Sequence, residues 1–238
     1  MHSAPHRGTV YGTLLNHHDA LAALGDAVHE APYRAPPKAP VLYIKPRNTW
    51  LGPDEAIIVP AGVDALEIGA TLGLVIGRSA CRVSEADALS FIAGYVIVND
   101  VSVPHASYYR PSLRFKARDT FCPIGPFVPH HAIGSPDALA VSVIIDDQTV
   151  HRSSTAGLIR SAARLLADVS DFMTLAPGDV LSVGVAAGAP RARPGQLVRI
   201  SIHGLGRLEN PLVAELRHTE HGHAGPAFAG SRIEGRAP

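Results

Sequence analysis

The chain has 238 residues, 46 % of them hydrophobic, and 21 basic side chains balance 21 acidic ones. That is enough apolar material for a sizeable core, and the zero net charge excludes the broad basic field that nucleic acid or an anionic membrane surface would need. Two cysteines, Cys81 and Cys122, have no paired spacing, which excludes a disulfide framework or zinc motif and fits a reducing cytoplasm. Met1 to Arg7 lacks an apolar run of signal length, and no stretch reaches the roughly 18 to 20 apolar residues that span a bilayer. The expected partners are therefore small molecules or protein.

Taken in order, Thr9 to Leu15 alternates as a strand does, and Asp19 to Ala31 carries helical apolar spacing at Leu21, Leu24 and Val28, with Asn16 or Asp19 as its cap. Pro32 to Pro40 cannot continue a helix and reads as a connection into a strand over Val41 to Lys45. Residues 1–40 are expected to form a small amino-terminal lobe or arm, and residues 41–216 the main domain. From Ile57 to Ile202 short β-branched runs alternate with Gly and Pro turns, at Ile57 to Val59, Leu72 to Ile76, Tyr95 to Val98, Ala140 to Ile145, Val180 to Val185 and Leu197 to Ile202. This pattern predicts a mainly β, α+β fold.

Two helices are expected to interrupt the β core. Ser84 opens the first, with Glu85 and Asp87 in the opening turn; Thr155 caps the second, whose stripe of Leu158, Ala162, Leu165, Leu166, Val169, Phe172 and Met173 is core. Ala176-Pro177-Gly178-Asp179 and Pro194-Gly195 read as turns. Beyond Leu216 the composition turns to His, Gly, Ala and Arg without periodicity, and residues 217–238 read as a disordered tail. Ile233-Glu234-Gly235-Arg236 matches a protease recognition sequence, so the tail is set aside functionally.

Chemistry concentrates between Gly94 and Pro126. Asp100, Arg110, Lys116 and Asp119 place two carboxylates and two cations in a short span, suited to a small anionic substrate. Lysine occurs only at Lys38, Lys45 and Lys116, so Lys45 in Ile44-Lys45-Pro46-Arg47-Asn48-Thr49 and Lys116 in Phe115-Lys116-Ala117-Arg118-Asp119 stand out against ordinary surface lysines. Tyr108 and Tyr109 suit packing or substrate contact equally. Cys122 beside Pro123 reads as a small buried hydrophobe, since no histidine accompanies it in a nucleophile motif. Gly-x-Ser-x-Gly and phosphate-loop motifs are absent.

Gly94-Tyr95, Asn99-Asp100, Lys116 with Asp119, Pro123-Ile124-Gly125-Pro126, Pro177-Gly178-Asp179 and Leu208-Glu209-Asn210-Pro211 occur in the order in which similar motifs occur in the fumarylacetoacetate hydrolase family, and the chain resembles that family over about residues 9–216. Ala35-Pro36-Pro37-Lys38, the Lys45 motif, Gly69-Ala70-Thr71 and Tyr109-Arg110-Pro111 resemble a narrower branch, the amino-terminal half or subunit of isomerase/decarboxylases of homoprotocatechuate (4-hydroxyphenylacetate) breakdown. The resemblance implies a mixed β-sheet roll and an oligomer. It implies Mg²⁺ or Mn²⁺ held by a Glu-x-Glu pair and a later Asp, and tricarboxylate or dicarboxylate substrates that react through a dienolate. It also implies roles for Lys116, Asp100 and Asp119 in catalysis and for Arg110 and Tyr109 in substrate binding.

Several positions depart from that pattern. The two glutamates fall on Gly69 and Thr71, so no metal is expected on this chain unless Glu67 or Asp64 rebuilds a displaced site. The lid histidine becomes Ala20 in Asn16-His17-His18-Asp19-Ala20, and a late Thr-Gly-Thr-Pro element reads Val183-Gly184-Val185-Ala186. Two readings stay open. One is an enzyme working without metal or with a displaced one; the other is a silent structural or regulatory subunit, paired with a metal-bearing paralogue.

Overall fold

The computed structural model describes residues 8–105 and 113–216. Among these residues the strands are, in chain order, β1 (Val10–Leu14), β2 (Val41–Lys45), β3 (Trp50–Leu51), β4 (Ile57–Val59) and β5 (Leu66–Glu67). Then follow β6 (Ala70–Ile76), β7 (Ile92–Asn99), β8 (Cys122–Pro123), β9 (Val128–Pro129) and β10 (Ala140–Ile145). The chain closes with β11 (Gln148–Ser154), β12 (Val180–Ser182), β13 (Arg191–Ala192), β14 (Leu197–Ile202) and β15 (Gly206–Ala214). Three short α-helices accompany them: α1 (His18–Ala22), α2 (Leu113–Lys116) and α3 (Ala162–Phe172). The fold is mainly β and of α+β type, and no helix among the described residues is long and apolar enough to cross a membrane.

Two larger sheets carry the core. One runs β2-β1-β12-β6-β7-β9 and the other β11-β10-β14-β15-β4. Their facing side chains alternate inward, so Leu72, Leu74 and Ile76 from β6 meet Val141, Val143 and Ile145 from β10 and Val198, Ile200 and Ile202 from β14 in one cluster, which α3 closes. Pairing is mixed: β1 runs parallel to β12 and β4 parallel to β15, while β6 and β7 are antiparallel. Because β1 pairs with β2 on one side and β12 on the other, residues 10–14 lie within the main sheet, and the boundary expected near residue 40 does not coincide with a break in it.

The register of β1 against β2 puts Gly12 opposite Tyr43. A Cβ at Gly12 would fall 2.1 Å from the Tyr43 ring, so the missing side chain is what lets that ring cross β1. Past β1 the chain turns through Leu15, which adopts a left-handed φ of 56°, and the Asn16 amide ties the turn down. Asn16 Nδ2 donates to the Val183 and Arg160 carbonyls at 2.9 and 3.1 Å, and Oδ1 accepts from Arg160 N at 3.0 Å.

The helices differ from their predicted bounds. The helix expected over 19–31 stops at Ala22 and resumes as a 3₁₀ turn over Gly25–Val28, because Gly25 takes φ 51°; its N-cap is His17, without a side-chain cap bond. No α-helix starts at Ser84. Its hydroxyl donates to the Asp87 carboxylate at 2.7 Å and accepts from Asp87 N at 3.2 Å, which closes a local turn before a 3₁₀ segment, Ala88–Phe91.

Thr155 likewise opens only a 3₁₀ turn, and its hydroxyl accepts from Leu139 N at 2.8 Å. The true helix begins seven residues later, where Ser161 accepts from Arg164 N at 3.1 Å, so Leu158 lies outside it. Its buried face is Ala162, Leu165, Leu166 and Val169, whereas Phe172, at the margin of that stripe, is 62 % exposed. Polar β11 and the glycine-led β15 escape a reading based on apolar alternation, because β11 is an edge strand with largely exposed side chains. Leu166→Ala is expected to cost about 2–5 kcal/mol by urea unfolding, and Phe172→Ala less than about 0.5 kcal/mol. Equal losses would contradict the assigned face.

Candidate functional site

Three strand or helix ends converge on Asp100. It follows β7, and its amide donates to Gly69 O at 2.8 Å, so the chain before β6 holds it in place. Lys45 ends β2, and Lys116 ends α2. Lys45 Nζ lies 2.7 Å from Asp100 Oδ1, and Lys116 Nζ is 3.0 Å from Oδ2. The Tyr43 hydroxyl also donates to Oδ2. All four side chains are buried, and the Lys116 ammonium sits 4.7 Å from the centroid of the Tyr43 ring, within cation–π range.

The two lysines play different parts. Lys45 Nζ reaches the carbonyls of Val101, Lys116 and Phe121 at 2.7, 2.9 and 2.9 Å. Its three N–H bonds are thereby taken, its contact with Oδ1 is one of charge, and Oδ1 has no aligned hydrogen-bond donor. By holding the Lys116 carbonyl, Lys45 also satisfies the carboxyl end of α2 and fixes where Lys116 stands. Lys116 instead borders a cavity of about 220 Å³, whose wall includes Thr13, Glu67, Gly69, Asp100, Ser102 and His105. Two ammonium groups against one carboxylate leave one net positive charge at this place.

Burial opposes ionisation of Asp100, but Lys116 and Lys45 outweigh it and hold the carboxyl far below the usual range. Asp100 is therefore held as an anion at neutral pH. Burial pulls Lys45 below an ordinary lysine, against the pull of Asp100, and pushes the Tyr43 phenol well above its usual value, which Asp100 reinforces. Burial also pushes the Cys122 thiol up to about 12, with Lys45 acting in the other direction. It stays protonated, as a buried apolar residue does.

Other expected residues fall elsewhere. Asp119 is exposed, accepts from Asn48 Nδ2 at 2.7 Å and is not part of the cavity wall. Tyr108, Tyr109 and Arg110 lie outside the described residues, as do residues 217–238 with His218, His221 and His223. Ala20, Val185 and Ala186 do line the cavity, so the lost histidine and threonine positions border it as apolar groups. The Asp179 carboxylate accepts from Thr9 N at 2.6 Å and Ala176 N at 2.8 Å, and Asn210 Nδ2 donates to Gly52 O and Glu55 O at 2.8 and 2.9 Å, so both motifs are architectural.

Sequence reasoning left out Tyr43, Thr13, Ser102 and His105 as site residues. His105 stacks on Phe115 with ring centroids 5.4 Å apart, and its Nδ1 shares a hydrogen bond with Val103 O at 3.0 Å. The rarity of lysine and the family-like motif around it pointed at Lys45. For the others, no local motif marks a cavity wall assembled from distant strands.

A profile described as the C-terminal domain of fumarylacetoacetate (FAA) hydrolase matches residues 9–213. The chain belongs to the fumarylacetoacetate hydrolase family. It is 43 % identical over 209 residues to the 4-hydroxyphenylacetate degradation bifunctional isomerase/decarboxylase of Escherichia coli, covering 88 % of this chain but 48 % of that protein. The chain thus spans about half the length of the curated bifunctional relatives it matches. Among solved structures, the 5-carboxymethyl-2-hydroxymuconate delta-isomerase of Mycobacterium smegmatis superposes with a TM-score of 0.75 at 32 % identity, over 90 % of this chain and 80 % of that one. The fumarylpyruvate hydrolase of Pseudomonas aeruginosa, in complex with Mn²⁺ and pyruvate, gives a TM-score of 0.76 at 25 % identity, over 87 % and 90 %.

The family implies a divalent metal, and the donors here do not fit one. A Cβ at Gly69 would lie 2.5 Å from the Asp100 carbonyl oxygen, so the backbone fills the space that a glutamate would use. Thr71 Oγ1 is committed to Gly184 O at 2.7 Å and lies 3.2 Å from Ser182 Oγ. Both Asp100 oxygens face ammonium groups, whose charge repels a dication. Glu67 pairs with Arg191 at 3.7 Å, and among the described residues no three His, Cys, Asp or Glu side chains cluster as ligands.

Asp100→Asn leaves two buried ammonium groups uncompensated and is expected to cost about 3–5 kcal/mol at neutral pH by denaturant unfolding. A depressed native carboxylate stabilises the fold above its unfolded pKa of about 4, and that stability is lost as pH falls below it. The melting temperature of the unsubstituted chain is expected to fall as pH drops from about 5 toward 3, with Asp100→Asn lower and flatter over the same range. Parallel curves would remove Asp100 as the cause.

Proposed function

We propose that this chain is an isomerase/decarboxylase unit of homoprotocatechuate breakdown, acting on 5-oxopent-3-ene-1,2,5-tricarboxylate by decarboxylation or on 2-hydroxyhepta-2,4-dienedioate by isomerisation, without a bound metal of its own. The observation that carries the reading is the ammonium of Lys116, held on an ionised Asp100 with one net positive charge beside a cavity of organic-acid size. The 43 % identity to an isomerase/decarboxylase supports the choice of reaction.

Both reactions pass through a dienolate. In decarboxylation the bond to the departing carboxylate breaks, its electron pair enters the conjugated system, CO₂ leaves and a proton adds at carbon. In isomerisation a proton leaves one carbon and returns to another. Lys116 is assigned to the developing enolate oxygen, where a fixed cation in a water-poor site is worth most. Asp100 orients that ammonium, while Lys45, sealed beneath, anchors the end of α2. Arg110 and Tyr109 are assigned to a distal carboxylate and Asp119 to an outer role, on family resemblance.

A second reading rests on the filled space at Gly69 and on the half-length match. In it the chain is a silent subunit that packs against a metal-bearing paralogue; in either reading an oligomer of two family units, as a homodimer or with that paralogue, is expected. Turnover of both substrates by the purified chain in excess chelator decides between them. The enzyme reading expects activity in chelator and a loss of about 10²-fold or more in kcat for Lys116→Met. Activity absent from the chain alone, and present only with a metal-loaded partner, would overturn it in favour of the silent subunit.

A further inference from the structure

We infer that His151 is a positioning residue for the cavity: its bond to the Ala187 carbonyl fixes the wall at residues 185–189 and so sets the girth of the organic acid that fits beside Asp100. This rests on the reading of the cavity as an organic-acid site. Val185, Ala186, Ala187, Gly188 and Ala189 are five consecutive residues of the wall, and they belong to no strand or helix. The chain is pinned before them, where Asn16 Nδ2 donates to Val183 O at 2.9 Å and Thr71 Oγ1 to Gly184 O at 2.7 Å, and after them, where Ile68 N donates to Pro190 O at 2.9 Å. Between those points the backbone of residues 185–189 makes no hydrogen bond to other backbone among the described residues, and His151 Nε2 supplies one to Ala187 O at 2.8 Å.

A carbonyl can only accept, so Nε2 carries the proton and is the donor. A bulge delivers it. Ile145 opposes Gln148 and Ile144 opposes Thr149, so an unbroken register would bring Val150 opposite Val143; the shift between Val143 and Ile144 brings His151 there instead. Opposed residues share a face, so His151 lies on the side of β11 that matches buried Val143, and Val150 is left largely exposed. On the other side of the bond, Gly188 takes φ 74° and turns the wall directly after Ala187; a Cβ there would lie 3.8 Å from the His151 ring.

The wall closes on the charged centre. A Cβ at Gly69 would lie 3.1 Å from Val185 Cγ2 and 3.0 Å from Asp100 Cβ, so the gap between the wall and Asp100 is narrow. The side chains of residues 185–189 are small and apolar, and they contribute shape rather than charge. Where the segment stands therefore decides which ligands fit in cross-section. A slender acid is accepted, and one branched beside its oxo carbon is rejected by clash.

The test compares His151→Phe, which keeps a ring and loses the donor, with His151→Gln, which keeps a donor near the Nε2 position. Backbone amide order parameters of residues 185–189, from NMR relaxation of the full chain, are expected at about 0.85 in the unsubstituted protein and in His151→Gln, and below about 0.6 in His151→Phe. Calorimetric titration then uses pyruvate and 3,3-dimethyl-2-oxobutanoate, which share a head group and differ in girth. The unsubstituted chain is expected to favour pyruvate by about tenfold or more, His151→Phe to narrow that preference to about threefold, and His151→Gln to restore it. If His151→Phe fails to fold, His151→Ala against His151→Gln gives the same comparison. Order parameters or a preference unchanged in the variant lacking the donor, with pyruvate still bound, would overturn the role of His151 and leave the organic-acid site standing. Absence of binding of either acid to the unsubstituted chain would overturn the organic-acid reading and, with it, the selectivity assigned to His151.

Discussion

One carboxylate held between two ammonium groups organises this molecule around its cavity. Asp100 is buried, so its charge would be prohibitive alone, and each lysine that neutralises it comes from a different part of the chain, the end of β2 and the end of α2. The arrangement therefore couples the six-stranded sheet, the segment after β7 and the short helix beside the cavity. Gly12 belongs to the same device, since only a residue without a side chain lets the Tyr43 ring cross β1 to reach Asp100.

The charge pattern also separates this chain from what its fold family leads one to expect. A divalent cation wants several hard oxygen donors with a surplus of negative charge. Here Asp100 is already outnumbered by the cations that contact it, and the positions that would supply two more carboxylates offer a glycine pressed against backbone and a threonine committed to Gly184. Chemically, fixed ammonium groups can oppose a developing enolate charge as a metal does, with less strength but with a hydrogen bond to give.

How much of this was legible in the residues depends on distance along the chain. The β core, its main strands and the family motifs were readable because alternation and turn residues are local signals, and the rarity of lysine made Lys45 and Lys116 conspicuous. Asp100 was readable from its motif, but its neutralisation was not, since Lys45 is 55 positions away and meets it only through the register of β2 on β1 and of β6 on β7. Thr13 and Ser102 carry no motif at all. Asp119 lies close to Lys116 in sequence, yet it bonds Asn48 and is not part of the cavity wall. The helix capped by Ser161 was misplaced because Ser84 and Thr155 carry the same capping chemistry, and Ser84 spends it on a local turn and Thr155 on the distant Leu139 amide.

The measurement closest to the central claim is a titration of Mn²⁺ into the chain followed by electron paramagnetic resonance, which reports the free aquo ion directly. With ammonium groups on both sides of Asp100, the aquo signal is expected at full amplitude in the presence of stoichiometric protein. Stoichiometric loss of that signal, restored by Asp100→Asn, would show a metal bound where the lysines stand and would contradict the claim.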